Sequence, residues 1–409
     1  MPSRADRRLD LIVFGATSFV GQILCRHLVE RHGVAGPLRW AIAGRDAAKL
    51  DVVAKATGAD VERIVADASD PDALSGLAAA TRVVVSTVGP YALYGSPLVA
   101  AVAAEGTDYC DLTGETPWMR RMIDAHAASA EASGARIVHA CGFDSIPSDL
   151  GVWFTQQRAI ERFASPCERI SMRVKSLRGG ASGGTVASMM NLIEEAAHDS
   201  ALRRMLADPY ALAPVDMRSG PEQPDTTWPT RDAASGGWVA PFVMAGVNTR
   251  VVHRSHALLG RPWGRGFRYD EATVTGSGPI GAVKAAAMSA GIVGFMGLAA
   301  IGPARTVLNR YVLPKPGDGP TPEAQRAGFF DLRFFGTTAD GRSMQTQVIG
   351  DRDPGYGSTA RMLGETAVAL TDLDPGRVGG GFWTPSTAFG DQLVERLEAH
   401  AGLRFNVVD

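Results

Sequence analysis

Cysteine is sparse in this chain, and the four present, Cys25, Cys110, Cys141 and Cys167, stand far apart, with no CxxC pair and no histidine at ligand spacing. That pattern excludes a structural zinc site, and a chain of 409 residues can bury a core large enough to fold without disulfides. Net charge is equally scarce, at -2 with a pI of about 6.5. A protein that grips a nucleic-acid backbone carries a basic surplus, so no nucleic acid is expected as a partner. The opening residues, MPSRADRRLD, contain no apolar signal core, which makes the cytoplasm the expected compartment. A Ser-His-Asp set, paired carboxylates and a metal-ligating cluster are also missing, so hydrolysis and metal catalysis find no support and no metal is expected. What is present is an ordinary globular composition, 45% hydrophobic and 21% charged, with room for two or three domains.

The chain is organised around Leu9 to Gly21, LDLIVFGATSFVG. Leu9, Leu11, Ile12, Val13 and Phe14 form the short apolar run of a strand covered on both faces. Gly15 ends it, and from Gly21 onward Ile23, Leu24, Leu28 and Val29 put an apolar stripe on one helical face. A helix N-terminus offers unpaired N–H groups and a partial positive charge, and a turn without bulk lets a diphosphate approach them. The spacing is GxxSxxG, with Ser18 where related turns carry a middle glycine. Gly15, Ala16, Thr17, Ser18, Phe19, Val20 and Gly21 are therefore expected to bind a dinucleotide, the Ser18 hydroxyl adding a hydrogen bond. An ordinary strand-to-helix turn is the alternative.

A second strand, Leu38 to Ala43, ends in Gly44-Arg45. An acidic residue there would hold the ribose 2′-hydroxyl of NAD, whereas Arg45 suits the 2′-phosphate of NADP, so NADP (NADPH) is favoured. The alternative is a solvated Arg45 opening the next helix. Val61 to Ala66 is a third strand, with Asp67 at its end to face the adenine. Arg82 to Val88 is a fourth, running into Gly89-Pro90-Tyr91, and Val88, Gly89, Pro90 and Tyr91 complete the expected cofactor contacts. Thr107 to Leu112 and Arg136 to Ala140 supply further strands, with helical patterns at 97–105 and 118–133 between them. This alternation predicts a Rossmann-type doubly wound parallel α/β sheet with its ligands at the carboxyl ends of the strands.

The blocks GATSFVG, AGR, STVGPYALYG (86–95), YCDLTGE (109–115) and GFDSIPSDLG (142–151) resemble the saccharopine dehydrogenase-like oxidoreductases. Within them they are most similar to the trans-acting enoyl reductase branch, which serves polyketide synthases making long-chain lipids; an animal relative is associated with lipid storage. LPKPGDGP (313–320) and GGFWTPSTAFG (380–390) extend the resemblance along most of the chain. It implies an NADPH-dependent oxidoreductase of lipid biosynthesis, acting on a C=C bond of an acyl or polyketide lipid carried by a polyketide synthase.

Past Gly151 the pattern loosens into a second α+β domain. Arg169 to Leu177 reads as a strand, followed by RGGASGGT (178–185) and a helix from Val186 to His198. Gly183, Gly184 and Thr185 make a second small-residue helix entrance, suited to a carboxylate, thioester or phosphate; a flexible connection capped by Thr185 is the alternative. Residues 208–241, rich in Pro, Asp and Gly, read as a long surface loop or lid. Phe329 to Phe335 and Ser343 to Ile349 read as a hairpin, Gly357 to Leu370 as a helix, and the C-terminus as a capped helix and last strand. Residues 285–304 carry no charge, near the length that spans a bilayer, yet are mostly Ala and Gly. A buried helix or the wall of an acyl groove is the expectation, with peripheral membrane contact left open.

The expected division is 1–150 as an NADP-binding Rossmann domain joined by the C-terminal segment 380–409, with 151–379 inserted as a substrate and dimerisation domain, a homodimer being left open. Reducing a conjugated C=C creates an oxyanion and a carbon that needs a proton. Tyr91 and Tyr94, after the fourth strand, are the candidate catalytic donors. Asp111, Glu115 and Asp144 are assigned to orienting loops through backbone N–H groups. Two other readings stay open. A saccharopine-type enzyme would reduce an imine of amino acids and would grip its carboxylates with residues such as Arg173, Arg178 and Arg250. A non-enzymatic lipid-associated protein would keep the fold without the cofactor.

Overall fold

The computed structural model describes residues 6–180, 183–308, 319–374 and 376–408. Ala181 and Ser182 of the glycine-rich run, the Thr185 side chain, residues 313–318 of the LPKPGDGP block and Asp409 of the C-terminal segment lie outside the described residues. Among the described residues fourteen strands follow in chain order. The first six are β1 (Leu9–Phe14), β2 (Trp40–Gly44), β3 (Glu62–Val65), β4 (Thr81–Ser86), β5 (Asp108–Asp111) and β6 (Arg136–Val138). Then come β7 (Cys167–Arg178), β8 (Thr230–Arg231), β9 (Trp238–Pro241), β10 (Arg268–Gly276), β11 (Phe329–Thr338) and β12 (Ser343–Gly350), and last β13 (Gly381–Trp383) and β14 (Leu403–Val408).

One sheet runs β13-β6-β5-β4-β1-β2-β3, every pair parallel. The strand order reverses at β1 and β4, and in such sheets ligands lie in the crevice beyond that point. All six residues of β1 are buried, with Leu11 and Val13 facing one helical layer and Ile12 and Phe14 the other. The first layer holds the helices Phe19–His32 and Thr359–Asp372; the second holds Pro71–Ala80, Ser96–Glu105 and Thr116–Ser133.

The other sheet is mixed, β14-β12-β11-β7-β10-β9-β8, with β7 and β10 parallel and the remaining pairs antiparallel. The helix Ile146–Phe163 leaves the end of β6 and packs on β7, β11 and β12. Gly151 permits that contact, because a Cβ there would enter the Phe334 ring. One continuous apolar core runs from Leu11 and Leu24 to Phe334 and Phe389, so the two sheets share it.

Three features differ from the sequence expectation. The C-terminal segment is divided between the sheets: β13 extends the parallel sheet beside β6, while β14 pairs with β12 of the mixed sheet instead of returning to the first domain. The helix Thr359–Asp372, inside the stretch assigned to the second domain, packs on β1, β4 and β5. The proposed lid at 208–241 is tied down, since Arg120 and Arg254 donate to the carbonyls of Ala211 and Leu212, and β8 and β9 pair as a hairpin at the edge of the mixed sheet. The uncharged stretch at 285–304 falls mostly in the helix Gly278–Ala300, long and apolar enough to cross a membrane. It is not a core helix. Gly281, Ala285, Ser289 and Ala299 are its buried residues, while Ile280 and Val283 are 71% and 69% exposed.

Candidate active site

The turn after β1 is held open by its neighbours. Gly15 has φ +89°, and a Cβ there would lie 2.7 Å from Val88 Cγ2 and 2.8 Å from Thr87 Oγ1. Thr87 Oγ1 donates to the Gly15 carbonyl at 2.9 Å, tying this turn to the end of β4. Ser18 caps the helix Phe19–His32: its Oγ accepts from Gly21 N at 2.9 Å and lies 2.9 Å from Thr87 Oγ1. The hydroxyl expected to reach a phosphate is therefore occupied in holding the turn. The N–H groups of Phe19 and Val20 meet no acceptor among the described residues and open the positive end of the helix dipole. Gly21 allows the helix to press on Ala16, whose Cα would be 2.9 Å from a Cβ. Free donors, a helix N-terminus and a cradle that side chains would fill fit the diphosphate of a nicotinamide dinucleotide.

Gly44 ends β2, and Arg45 behind it is exposed while Asp46 caps the next helix. Asp67 accepts from the Ser69 N–H and hydroxyl, which with the nearby Arg45 charge hold its carboxyl below the usual range. The Arg45 guanidinium thus makes no hydrogen bond among the described residues, and its charge acts on Asp67. Pro90 opens the short helix Tyr91–Tyr94.

Between the two sheets lies a cavity of about 660 Å³ with unlike ends. At the Rossmann end it is lined by Ser18, Thr87, Gly89, Tyr91, Glu115 and Asp144; farther out the lining is Met189, Leu192, Ile193, Val243, Val247 and Met296. The helix Gly183–His198 forms much of the apolar wall, its start tied to the turn after β1 through Tyr356, whose hydroxyl accepts from Gly183 N at 2.9 Å and whose ring meets Phe19 edge-on at 4.8 Å. Met296 and Ala300 of the uncharged segment line the cavity too.

At the polar end Tyr91 and Glu115 are tightly bonded, while the Asp144 carboxyl has no hydrogen-bond partner among the described residues. Tyr91 is buried with its ring against Trp118; its hydroxyl donates to Ser86 O at 2.9 Å and accepts from Leu112 N at 3.4 Å. Its proton is committed, and burial pushes the phenol far up. Tyr94, expected as a second donor, is 48% exposed and does not line the cavity, because the short helix is seated by its first residue and turns its last outward. Glu115 accepts from Tyr91 N and Ala92 N, each at 2.8 Å, and from Ser188 Oγ at 2.7 Å, tying the β4 and β5 loops to the helix Gly183–His198. Asp111 accepts from Thr113 N, Ala140 N and His139 Nδ1. Asp144 is different: its carboxyl meets no hydrogen-bond donor among the described residues, and burial, with the Glu271 charge behind it, pushes its pKa up to about 7. Glu271, on β10, accepts from Tyr269 Oη at 2.7 Å and Asn248 Nδ2 at 2.9 Å, and burial also pushes it to about 7.

Sequence reading missed Glu271, Ser188 and Tyr356. The available signals were an acidic pair, Asp270-Glu271, inside a strand pattern and a serine one turn past the glycine-rich entrance. The arginines considered for an amino-acid substrate do not gather here. Arg173 is paired with Asp232 and Asp270 on the mixed sheet, Arg178 ends β7, and Arg250 donates to Leu206 O. Among the described lining residues the one cation is Arg203, whose guanidinium donates to the carbonyls of Ala196 and Ala197. Among the described residues no cluster of His, Cys, Asp and Glu could hold a metal.

Comparison with known proteins places the chain. It is 42% identical over 414 residues to a Mycobacterium tuberculosis protein whose name marks it as a candidate trans-acting enoyl reductase, with 96% of each chain covered. It is 39% identical over 419 residues to the trans-acting enoyl reductase of Mycobacterium bovis, and 38% identical over 419 residues to that of Mycobacterium ulcerans, with 97% of each chain covered. No protein-family model matches the chain. Its fold is that of saccharopine dehydrogenase (L-Glu forming) from Saccharomyces cerevisiae, at TM-score 0.55 and 12% identity over 98% of this chain and 100% of that one. Homospermidine synthase from Legionella pneumophila, solved with NAD, superposes at TM-score 0.53 and 8% identity over 98% of this chain and 92% of that one. The chain is thus an oxidoreductase that belongs to the trans-acting enoyl reductase family and is built on the saccharopine dehydrogenase-like fold.

Proposed function

We propose that this protein uses NADPH to reduce the C=C bond conjugated to the carbonyl of a long acyl or polyketide lipid intermediate, presented by a polyketide synthase. The observation that carries this reading is the cavity itself, polar where the β1 and β4 turns meet and apolar along its outer wall. A bound nicotinamide supplies the hydride for the β-carbon. The chain's own residues do the rest. The turn formed by Gly15, Ala16, Thr17, Ser18 and Gly21 cradles the diphosphate and presents to it the N–H groups of Phe19 and Val20, Gly44 gives room for Arg45 to meet the 2′-phosphate, and Asp67 borders the adenine. Val88, Gly89, Pro90 and Tyr91 form the floor under the nicotinamide. Residues 1–150 carry the cofactor, and 151–379 supply the apolar wall from the helices Gly183–His198 and Gly278–Ala300. Glu115 and Ser188 fix that wall relative to the floor.

An amino-acid imine is disfavoured because a substrate with several carboxylates needs several cations, and the lining offers one arginine that is already capping a helix. NADPH consumption is measured with enoyl thioesters of increasing chain length and with lysine-derived imines as controls. Rates that climb with chain length support the reading; turnover of the imines alone defeats it. Absence of NADPH binding would favour the non-enzymatic alternative. The exposed apolar surface of the helix Gly278–Ala300 supports peripheral contact of a cytoplasmic protein with a lipid surface, tested by co-sedimentation with phosphatidylglycerol vesicles.

A further inference from the structure

We infer that Asp144 is the catalytic acid of this site: its carboxyl hydrogen goes to the substrate α-carbon after hydride has reached the β-carbon. The inference rests on the proposed reduction of a conjugated C=C. In the balanced step the π bond breaks, the β-carbon gains a hydride from NADPH, the enolate pair takes a proton from Asp144, and NADP⁺ and the Asp144 carboxylate remain. Water reprotonates the carboxylate.

The assignment comes from comparing the ionisable groups that line the cavity with the hydroxyls bonded to them, followed by geometry. Tyr91 Oη already donates to Ser86 O, and Glu115 is engaged by three donors. Ser188 donates to Glu115, Ser18 and Thr87 bond one another, and Arg203 closes a helix end. Asp144 alone lines the cavity as an acidic group with no side-chain donor directed at it among the described residues. Gly114 approaches it without a side chain, since a Cβ there would stand only 3.3 Å from Asp144 Oδ2, and Asp144 itself lines the cavity. The other groups around it are Glu271 from β10, Glu115 from the loop after β5, Tyr91 from the loop after β4, and Tyr356 and Arg203 on the cavity wall; Met244 and Val247 are neutral. Glu271 makes Asp144 harder to ionise and has no place in the cavity lining, so it is a positioning residue.

A carboxyl that holds its proton to about pH 7 is a competent acid near neutrality, and a well-placed one contributes about 100-fold to 10,000-fold in rate. Without it, hydride transfer leaves an anion with no proton source. A nitroalkene makes the test specific, because its reduced anion is stable without immediate protonation.

Asp144→Asn and wild type are compared in three assays. In the protein without cofactor, infrared titration of the protonated-carboxyl band is expected to show a component that ionises near neutral pH in wild type and is missing from the variant. With NADPH and a long enoyl thioester, kcat is expected to fall by about 100-fold or more. NADPH affinity should not change, and hydride transfer to a nitroalkene of matching length should persist in the variant. In wild type kcat should decline as pH rises through about 7, where the acid form is lost, and Glu271→Gln should move that decline to lower pH. The inference is overturned if the carboxyl band does not change, if Asp144→Asn keeps wild-type kcat and pH profile on the thioester, or if the nitroalkene rate falls equally. Wild type that oxidises NADPH with neither substrate would defeat the reduction reading and this inference together; a wild type active on the thioester with an unaffected variant would defeat only the role of Asp144.

Discussion

The two ends of the cavity are built by opposite means. The Rossmann end is positioned by directional bonds: Thr87 to Gly15, Ser18 to Gly21, and Glu115 to Tyr91, Ala92 and Ser188. The outer end is lined by flexible or small apolar side chains, among them Met189, Ala196, Ala197 and Met296, which constrain shape without fixing one orientation. A reaction needs its atoms held to fractions of an ångström, whereas a chain of methylenes needs only a dry wall of adequate length. Substitutions at the first end are therefore expected to act on cofactor and rate, and those at the second on which substrate is preferred.

The largest expected effect is at Gly15. Gly15→Val would place a branched side chain against Thr87 and Val88 in a backbone conformation with φ +89°. NADPH affinity, read by fluorescence titration, should fall by more than about 100-fold, equivalent to about 2.7 kcal/mol, with the circular dichroism of a folded protein retained. Unchanged affinity would show that the turn does not hold the cofactor. Next comes Arg45→Ala, which removes an exposed guanidinium that makes no hydrogen bond among the described residues. A charge-assisted bond contributes about 1.5 to 3 kcal/mol, so NADPH should weaken by about 10-fold to 150-fold while NADH binding stays level. Equal affinity of wild type for the two cofactors removes the basis for NADP.

At the apolar end the expected effect is smaller per group and cumulative. Each buried methylene is worth about 0.8 kcal/mol, or about fourfold in kcat/KM, until the groove is full. Leu192→Trp narrows the groove midway along the helix Gly183–His198, so the chain-length optimum should shorten by several carbons with NADPH affinity unaltered. A uniform loss at every length would mean that the wall supports the fold and does not select the substrate.

This contrast also explains what could be read from the sequence. The parallel sheet was legible because its central strands β1, β2 and β4 are buried on both faces and appear as largely apolar runs, the first two ending at Phe14-Gly15 and Ala43-Gly44. The small-residue turn between β1 and the helix Phe19–His32 was legible because its pattern is local. Asp144 was not, since its state depends first on burial that only the folded chain creates and then on Glu271, which reaches it from the other sheet. The placement of β13 and β14 was also hidden. A strand as short as Gly381–Trp383 carries too little pattern to declare its sheet, and β14 joins β12 through a pairing that only the folded chain brings together. The hairpin of β8 and β9 lay inside a segment whose Pro and Asp content reads as loop. Tyr94 was assigned a role from its neighbourhood in the sequence, but exposure is a property of the packed helix end.

The smallest expected effect separates the ends by pH. Asp144, Asp149 and Glu271 have folded pKa values raised to about 7, 6 and 7 by burial, above the ordinary values of 3.8 for aspartate and 4.5 for glutamate. The folded protein thus binds more protons than the unfolded chain in that interval. Their favourable contribution is fully present below about pH 4 and is lost as pH rises through the folded values. Glu365 has the opposite sign. Its carboxylate, bonded to His27, Arg31 and Arg396, is held at about 2, so its contribution is present above the ordinary value of 4.5 and is lost as pH falls through 2. Between pH 5 and 8 the raised group dominates, and wild type should lose stability in that window. Glu271→Gln keeps the shape and removes the charge, while the Tyr269 hydroxyl can turn to accept. Urea unfolding at pH 5 and pH 8 should therefore show a smaller drop for the variant than for wild type, by about 1 kcal/mol after relaxation of a shift worth about 3 kcal/mol at full strength. Leu192→Trp, at the apolar end, should shift both pH values equally. An identical pH dependence in wild type and Glu271→Gln would mean that Glu271 does not titrate within the window, which would refute its raised pKa.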